Sequence, residues 1–163
     1  MDAPDAAAET TRNRSRDRRM MALALAAARA AAAAGEAPIG AVVAFAGRPL
    51  AVAHNLVETL PDPTAHAETL AIRAAAARIG APRLADCDLF VTLEPCAMCA
   101  GAIEHARIAR LVFGAYDPKG GGVEHGAAVF RRETCRHRPE IVGGVEEAAA
   151  ARLLKDFFSG LRR

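Results

Sequence analysis

Alanine-rich segments alternate with short apolar runs along this chain, and glycine, proline or polar residues separate them. The alanine-rich segments favour helices because alanine has the highest helix propensity, and the uncharged runs favour buried strands. The predicted helices span residues 20–34, 65–79, 95–106 and 146–158. The predicted strands span residues 39–45, 49–54, 88–93 and 110–115, with a short fifth strand at 141–142. Helices that alternate with short apolar strands predict an α/β domain whose sheet is covered on both faces.

Turn and capping residues set the expected boundaries of these elements. Ala46-Gly47 predicts a tight turn between the first two strands, and we expect this hairpin to be buried on both faces. Thr64 is the expected N-cap of the second helix, and Pro95 is expected to start the third, where its missing N–H costs nothing. Residues 1–19 are polar and charged, which predicts a flexible N-terminal tail, with a helix near its end left open, before a domain at 20–163.

The composition fits one domain with a sizeable core, since the chain has 163 residues. A net charge of +2 does not indicate a general nucleic-acid binder, although arginines clustered near both ends could contact phosphates. For any single cluster, solvated arginines on a helix face are the favoured explanation. The absence of Trp and the single Tyr argue against a broad aromatic stacking surface, and we expect Phe157 and Phe158 to pack the last helix against the core.

Four cysteines do not indicate a disulfide framework. We expect Cys87 and Cys135 to be free thiols in a reducing cytoplasm. Neither a signal peptide nor a membrane span is predicted, because Arg29 interrupts the apolar run 20–34, which is also too short to cross a bilayer.

The chemistry is concentrated in two motifs, each at the start of a predicted helix. His66-Ala67-Glu68 opens the second helix, and Pro95-Cys96-Ala97-Met98-Cys99 opens the third. Cysteines three residues apart lie on one helix face and can bind the same ion. Helix starts that follow strands line the carboxyl edge of an α/β sheet, so the motifs can meet there. We therefore expect His66, Cys96 and Cys99 to bind one zinc ion whose fourth position is open to water.

Glu68 supplies a carboxylate that such a zinc site does not need as a ligand. We expect zinc-bound hydroxide to attack a flipped-out base while Glu68 takes the water's proton, delivers it to the ring nitrogen and later helps to protonate the leaving ammonia. A Cys-x-x-Cys pair alone would also fit a structural zinc half-site or a redox motif. The full pattern, H-x-E…P-C-x-x-C, is the signature of zinc nucleobase deaminases and favours catalytic zinc.

These motifs and their surroundings resemble the bacterial tRNA-specific adenosine deaminases of the cytidine deaminase-like superfamily, over about residues 20–163. The matching segments are residues 35–42, Asn55, 62–68, 92–103, 107–108, 112–115, 117–120 and 156–158. The resemblance implies a three-layer α/β/α sandwich with a mixed five-stranded sheet, usually as a homodimer. It also implies conversion of adenosine to inosine at the wobble position of an arginine tRNA, in the cytoplasm.

By the same resemblance, Asn55 would orient the base, and Asp117 and Lys119 would lie beside the anticodon stem-loop. The chain departs from the family's pattern at residues 120–126 and at Arg136, which bears on the fit to RNA and not on zinc chemistry.

Two other functions stay open because the zinc motifs are shared by the whole superfamily and do not select a substrate. The modest net charge and the few aromatic residues also fit a deaminase of a free base or nucleoside, such as guanine or cytosine. A non-catalytic zinc-binding module is the remaining alternative.

Overall fold

A single mixed sheet lies between two pairs of helices. The computed structural model describes residues 6–162. Its helices are α1 (Ala6–Ala33), α2 (Ala67–Ile79), α3 (Ala97–Ala106) and α4 (Glu147–Leu161). Its strands are β1 (Gly40–Phe45), β2 (Arg48–His54), β3 (Cys87–Leu93), β4 (Arg110–Ala115) and β5 (Glu140–Val142). The strand order is β2-β1-β3-β4-β5, with β1 antiparallel to both neighbours and β3, β4 and β5 parallel.

The central strands are apolar on both faces because each face carries a helical layer. Val42, Phe90 and Val112 are fully buried and share a core with α1 and α4. Val43 and Val91, which point to the opposite face, share a second core with the alanines of α2 and α3. This two-residue alternation in strands without charge explains why the apolar runs predicted a doubly covered sheet. The predicted three-layer α/β/α sandwich is therefore confirmed.

The predicted site residues lie at one end of the strands, called the strand-end edge below. Strands β2, β3 and β4 end there and β1 begins there, since Gly40 pairs with His54 and its N–H donates to Thr92 Oγ1 at 3.2 Å. A side chain at Gly40 would place its Cβ 2.0 Å from the carbonyl oxygen of Ala24, so only glycine lets α1 lie this close to β1. The close contact fixes the end of α1, and the segment that follows it, beside this edge.

The N-terminal region is helical over a longer stretch than the end of the predicted tail. Helix α1 begins at Ala6, so residues 6–19 form its first half, whereas residues 1–5 lie outside the described range. Asp17 is buried and accepts two hydrogen bonds from Arg110, at 2.6 and 2.7 Å. This pair ties the first half of α1 to the start of β4, and the expected boundary at residue 19 falls inside a helix.

Two local expectations also need correction. Thr64 does not cap α2, because its N–H and hydroxyl both donate to Asp62 Oδ1, and His66 occupies the N-cap position instead. The predicted turn at Ala46-Gly47 is present, with both residues at positive φ, but the hairpin is not buried on both faces. Strand β2 forms the edge of the sheet, and Val52 is 52% exposed.

Cys87 and Cys135 are buried free thiols, as predicted. Within residues 6–162, none of the helices combines the length and the apolar character needed to cross a membrane.

Candidate active site

The two motifs meet at the strand-end edge and bring three metal-binding atoms together. His66 is the N-cap of α2, Cys96 is the N-cap of α3, and Cys99 lies one turn further along α3. The Nδ1 atom of His66 lies 3.6 Å from Cys96 Sγ and 3.5 Å from Cys99 Sγ. A tetrahedral zinc with ordinary Zn–S and Zn–N bonds requires a sulfur–nitrogen separation of about 3.6 Å. One histidine nitrogen and two sulfurs, all within 4.8 Å of one another, therefore match the ligand set and the sulfur–nitrogen spacing of a zinc site.

The three ligand groups differ in protonation: Cys96 is already deprotonated, whereas Cys99 and His66 must each give up a proton to a metal ion. A hydrogen bond from Cys99 lowers the pKa of Cys96 to about 4, with further help from His66. The same Cys96–Cys99 hydrogen bond, together with burial, raises the pKa of Cys99. The hydrogen bond with Cys96 also raises the pKa of His66. Cys96 is therefore a thiolate beside two proton donors, Cys99 and His66. A cation that replaces their protons can bind all three ligand atoms.

Glu68 lies in the first turn of α2, directly beside the cluster, and is 4% exposed. Burial is the main cause that raises the pKa of its carboxyl group, and Cys99 hydrogen-bonds to it. Thiolate and imidazole groups would hold a zinc ion at this cluster, so the Glu68 carboxyl is not needed as a ligand and would be free for proton transfer at an open coordination position.

A cavity of about 650 Å³ opens beside His66. Asn55 lines it, together with Glu36 from the segment after α1 and Phe157, Phe158 and Leu161 from α4. The cavity could hold a nucleobase, whose target atom must leave the stack to reach a buried centre. Phe157 and Phe158 were expected to be core residues, but they line this cavity and Phe158 is 46% exposed. Sequence pattern alone could not show this, because it depends on where α4 ends in space.

Asp117 and Lys119 lie in the loop after β4 and are not among the described residues that line this cavity. The Asp117 carboxylate accepts the backbone N–H groups of Lys119 and Gly120, at 3.2 and 2.9 Å, and so shapes the turn. Lys119 is exposed. The loop nevertheless reaches the metal-binding cluster, since the N–H of Gly122 donates to the carbonyl of Pro95 at 2.7 Å.

Glu94, which the sequence interpretation did not single out, organises this loop. Its fully buried carboxylate accepts four backbone N–H groups, from Asp117 and from residues 123–125, at 2.8 to 3.3 Å. His125 Nδ1 lies 2.8 Å from Glu94 Oε2. Burial acts to raise the pKa of Glu94, but these hydrogen bonds outweigh it and hold the pKa below 4.5. The sequence signal that could have identified Glu94 is a charged residue directly before Pro95, at the end of a buried strand.

The remaining histidines have no part in the cluster. His54 Nδ1 hydrogen-bonds to the carbonyl of Asn55, and His137 Nε2 to the carbonyl of Ile108. His105 is exposed. Within residues 6–162, the group of His66, Cys96 and Cys99 is the one whose donor atoms lie close enough together for a metal ion.

Known proteins share both this fold and this site region. The family described as "Cytidine and deoxycytidylate deaminase zinc-binding region" matches residues 14–115. The tRNA-specific adenosine deaminase of Agrobacterium fabrum is 50% identical over 123 residues, which cover 76% of this chain and 81% of that protein. A structure solved in a study of A-to-I editing by tRNA:A34 deaminases at the wobble position of transfer RNA superposes with a TM-score of 0.82 at 49% identity, covering 83% of this chain and 99% of that one. A guanine deaminase from Nitrosomonas europaea superposes with a TM-score of 0.72 at 28% identity, covering 87% and 84%. The chain therefore belongs to the cytidine and deoxycytidylate deaminase zinc-binding family.

Proposed function

We propose that this protein hydrolytically deaminates adenosine to inosine in tRNA, at the wobble position of the anticodon. Hydrolytic deamination is supported by one observation, the cluster of His66, Cys96 and Cys99 with the buried Glu68 beside it. The substrate is supported by the relatives, since identity is 50% to a tRNA-specific adenosine deaminase and 28% to a guanine deaminase.

The reaction adds water to C6 of adenine and breaks the C6–N6 bond, giving inosine and ammonia. His66 Nδ1 and the two sulfurs of Cys96 and Cys99 hold the zinc ion, which when bound supplies the Lewis acidity that lowers the pKa of water to about 7. Glu68 takes a proton from the attacking water and delivers it to a ring nitrogen of the base. The same carboxyl group then helps to protonate the departing amino group, which leaves as ammonia.

Substrate binding involves three further residues in this proposal. Asn55 orients the base, which is supported by its place in the cavity beside His66. Asp117 and Lys119 lie beside the bound anticodon stem-loop. Asp117 shapes the protein loop there, and Lys119 offers an exposed positive charge to the RNA. An arginine tRNA as substrate, a homodimer as the assembled state and the cytoplasm as the location complete the proposal.

The competing function is deamination of a free nucleobase or nucleoside, of the guanine or cytosine type, and the structural similarity to a guanine deaminase is the observation that favours it. The test compares an arginine tRNA anticodon stem-loop, guanine and cytidine as substrates of the zinc-loaded protein, with ammonia release and RNA sequencing as readouts. The proposal predicts inosine at the wobble position, and inhibition by added salt because the RNA phosphates contribute to binding. Turnover of guanine or cytidine without any change in the stem-loop would refute it.

A further inference from the structure

The carboxylate of Glu36 lies at the wall of the substrate cavity and has two partners there. It follows α1 directly and is fully buried. Its Oε1 accepts the backbone N–H of Thr59 at 2.6 Å, and its Oε2 accepts the side-chain Nδ2 of Asn55 at 3.1 Å. Burial acts to raise the pKa of Glu36, but the hydrogen bonds from Thr59 and Asn55 outweigh it and keep the pKa below 4.5. The group is thus a charged acceptor at neutral pH.

A charged carboxylate can only accept hydrogen bonds, so the atom of Asn55 that faces Glu36 must be the amide nitrogen. The backbone of Asn55 is also fixed, since its N–H donates to Ile39 and its carbonyl contacts His54 Nδ1. No donor among residues 6–162 contacts Asn55 Oδ1. Asn55 therefore keeps Oδ1 and one N–H available in a single orientation, at the cavity wall that it shares with His66.

We propose that Glu36 is a positioning residue that holds the Asn55 amide in one of its two orientations and thereby determines which groups the substrate meets. The inference rests on the proposed function, because it gives Asn55 its partner in orienting the base. Glu36 itself has both oxygens occupied by protein donors, so it acts through Asn55.

Glu36→Gln is the decisive change because it keeps the size of the side chain and removes its charge. The Thr59 donor is a fixed backbone N–H at 2.6 Å, whereas the Asn55 amide, at 3.1 Å, can rotate, so the new amide keeps its oxygen toward Thr59 and turns its nitrogen toward the nitrogen of Asn55. Two NH₂ groups cannot hydrogen-bond to each other, so Asn55 must rotate its amide by half a turn. The substrate then meets the reversed donor and acceptor arrangement, and kcat/KM for the stem-loop is expected to fall roughly 5–150-fold, the range for leaving one buried hydrogen-bonding group unsatisfied.

Side-chain amide NMR reads the positioning without any substrate. The chain has two asparagines, Asn13 and Asn55, and no glutamine, so the zinc-loaded protein gives two side-chain amide pairs. Loss of one pair in Asn55→Asp assigns them. We expect the Asn55 pair to exchange with solvent roughly tenfold more slowly than the Asn13 pair, because it is buried and bonded to a charge. Glu36→Gln is expected to shift the Asn55 pair.

The matched control is Asp86→Asn, which removes one charge at an exposed residue directly before β3, at the end of the strand away from the site. It is expected to leave the Asn55 signals and kcat/KM unchanged. An Asn55 pair that exchanges as fast as Asn13 in the unaltered protein would overturn the inference, even if Glu36→Gln does not fold. Unchanged Asn55 signals and kcat/KM in a folded Glu36→Gln protein would overturn it as well. If the unaltered protein makes no inosine, the proposed function fails, while the amide measurement still decides the role of Glu36.

Discussion

Replacing Glu94 with glutamine tests whether one buried carboxylate holds the loop beside the metal-binding cluster. Glutamine can keep its oxygen toward residues 123–125, but its NH₂ group then faces the N–H of Asp117, which loses its acceptor. The orphaned N–H costs about 1–3 kcal/mol, and the bonds of 2.8 and 3.0 Å to Oε1 each lose roughly 1 kcal/mol when the acceptor becomes neutral. The expected loss of unfolding free energy is about 3–5 kcal/mol, a large share of the usual 5–15 kcal/mol.

The assays are urea unfolding for the free energy and thermal unfolding for Tm, both on zinc-loaded protein, with hydrogen exchange to locate the change. Because a loss of 1 kcal/mol lowers the melting temperature of a domain this size by about 2–4 °C, we expect Tm to fall by roughly 10 °C. Amides of residues 117–126 should exchange faster, while the bound zinc stays near one per chain because Glu94 is not a ligand. Glu133→Gln, at an exposed position, is the control. A Tm within about 1 °C of the unaltered protein, with unchanged loop exchange, would show that Glu94 does not hold this loop.

Three further predictions concern other parts of the fold. Arg110→Met leaves the Asp17 carboxylate buried without its partner, so the free energy of unfolding should drop by about 3–5 kcal/mol. Adding Asp17→Leu should recover most of that loss. An unchanged free energy of unfolding in Arg110→Met would contradict this. Gly122→Ala places a Cβ 2.5 Å from the backbone nitrogen of the first residue of α3 and should reduce the rate of deamination. Gly101→Ala, whose new Cβ meets open space on α3, is the control and should not reduce it. Equal activities of the two variants would count against the close contact at Gly122. The hydrogen bond from the backbone of residue 136 holds the pKa of Glu104 below 4.5, so its stabilisation is present above that pH and is lost as the pH falls through the folded-state pKa. The stability difference between the unaltered protein and Glu104→Gln should therefore shrink in acid, and a difference independent of pH would count against this assignment.

The metal-binding cluster could be predicted from sequence because its geometry is largely local. Cys96 and Cys99 share one helical turn whatever the rest of the chain does, and the strand before them predicts which edge of the sheet they reach. His66 could be added because it starts the other helix on the same side of the sheet. The structure brings all three donor atoms to zinc spacing, as this reasoning expects.

The first half of α1 could not be predicted because its stabilising partner is remote. Asp17 and Arg110 are 93 residues apart, and nothing near Asp17 in sequence indicates that a buried arginine will meet it. A polar, arginine-rich segment without such a partner is typical of a tail.

The cavity wall was missed for the same physical reason. Glu36 matters because Asn55 lies 3.1 Å away in space and 19 residues away in sequence. Phe157 and Phe158 matter because the end of α4 lies over the cavity. Apolar spacing indicates that a helix face is covered, but it does not distinguish a core from a substrate pocket.

The central claim is that this chain uses a three-ligand zinc site and Glu68 to deaminate adenosine in tRNA. The most direct measurement compares inosine formation at the wobble position of an arginine tRNA stem-loop by the unaltered protein and by Glu68→Ala, both loaded with zinc. We predict inosine with the unaltered protein and none with Glu68→Ala, although both bind one zinc ion per chain. Inosine formation that survives Glu68→Ala would contradict it.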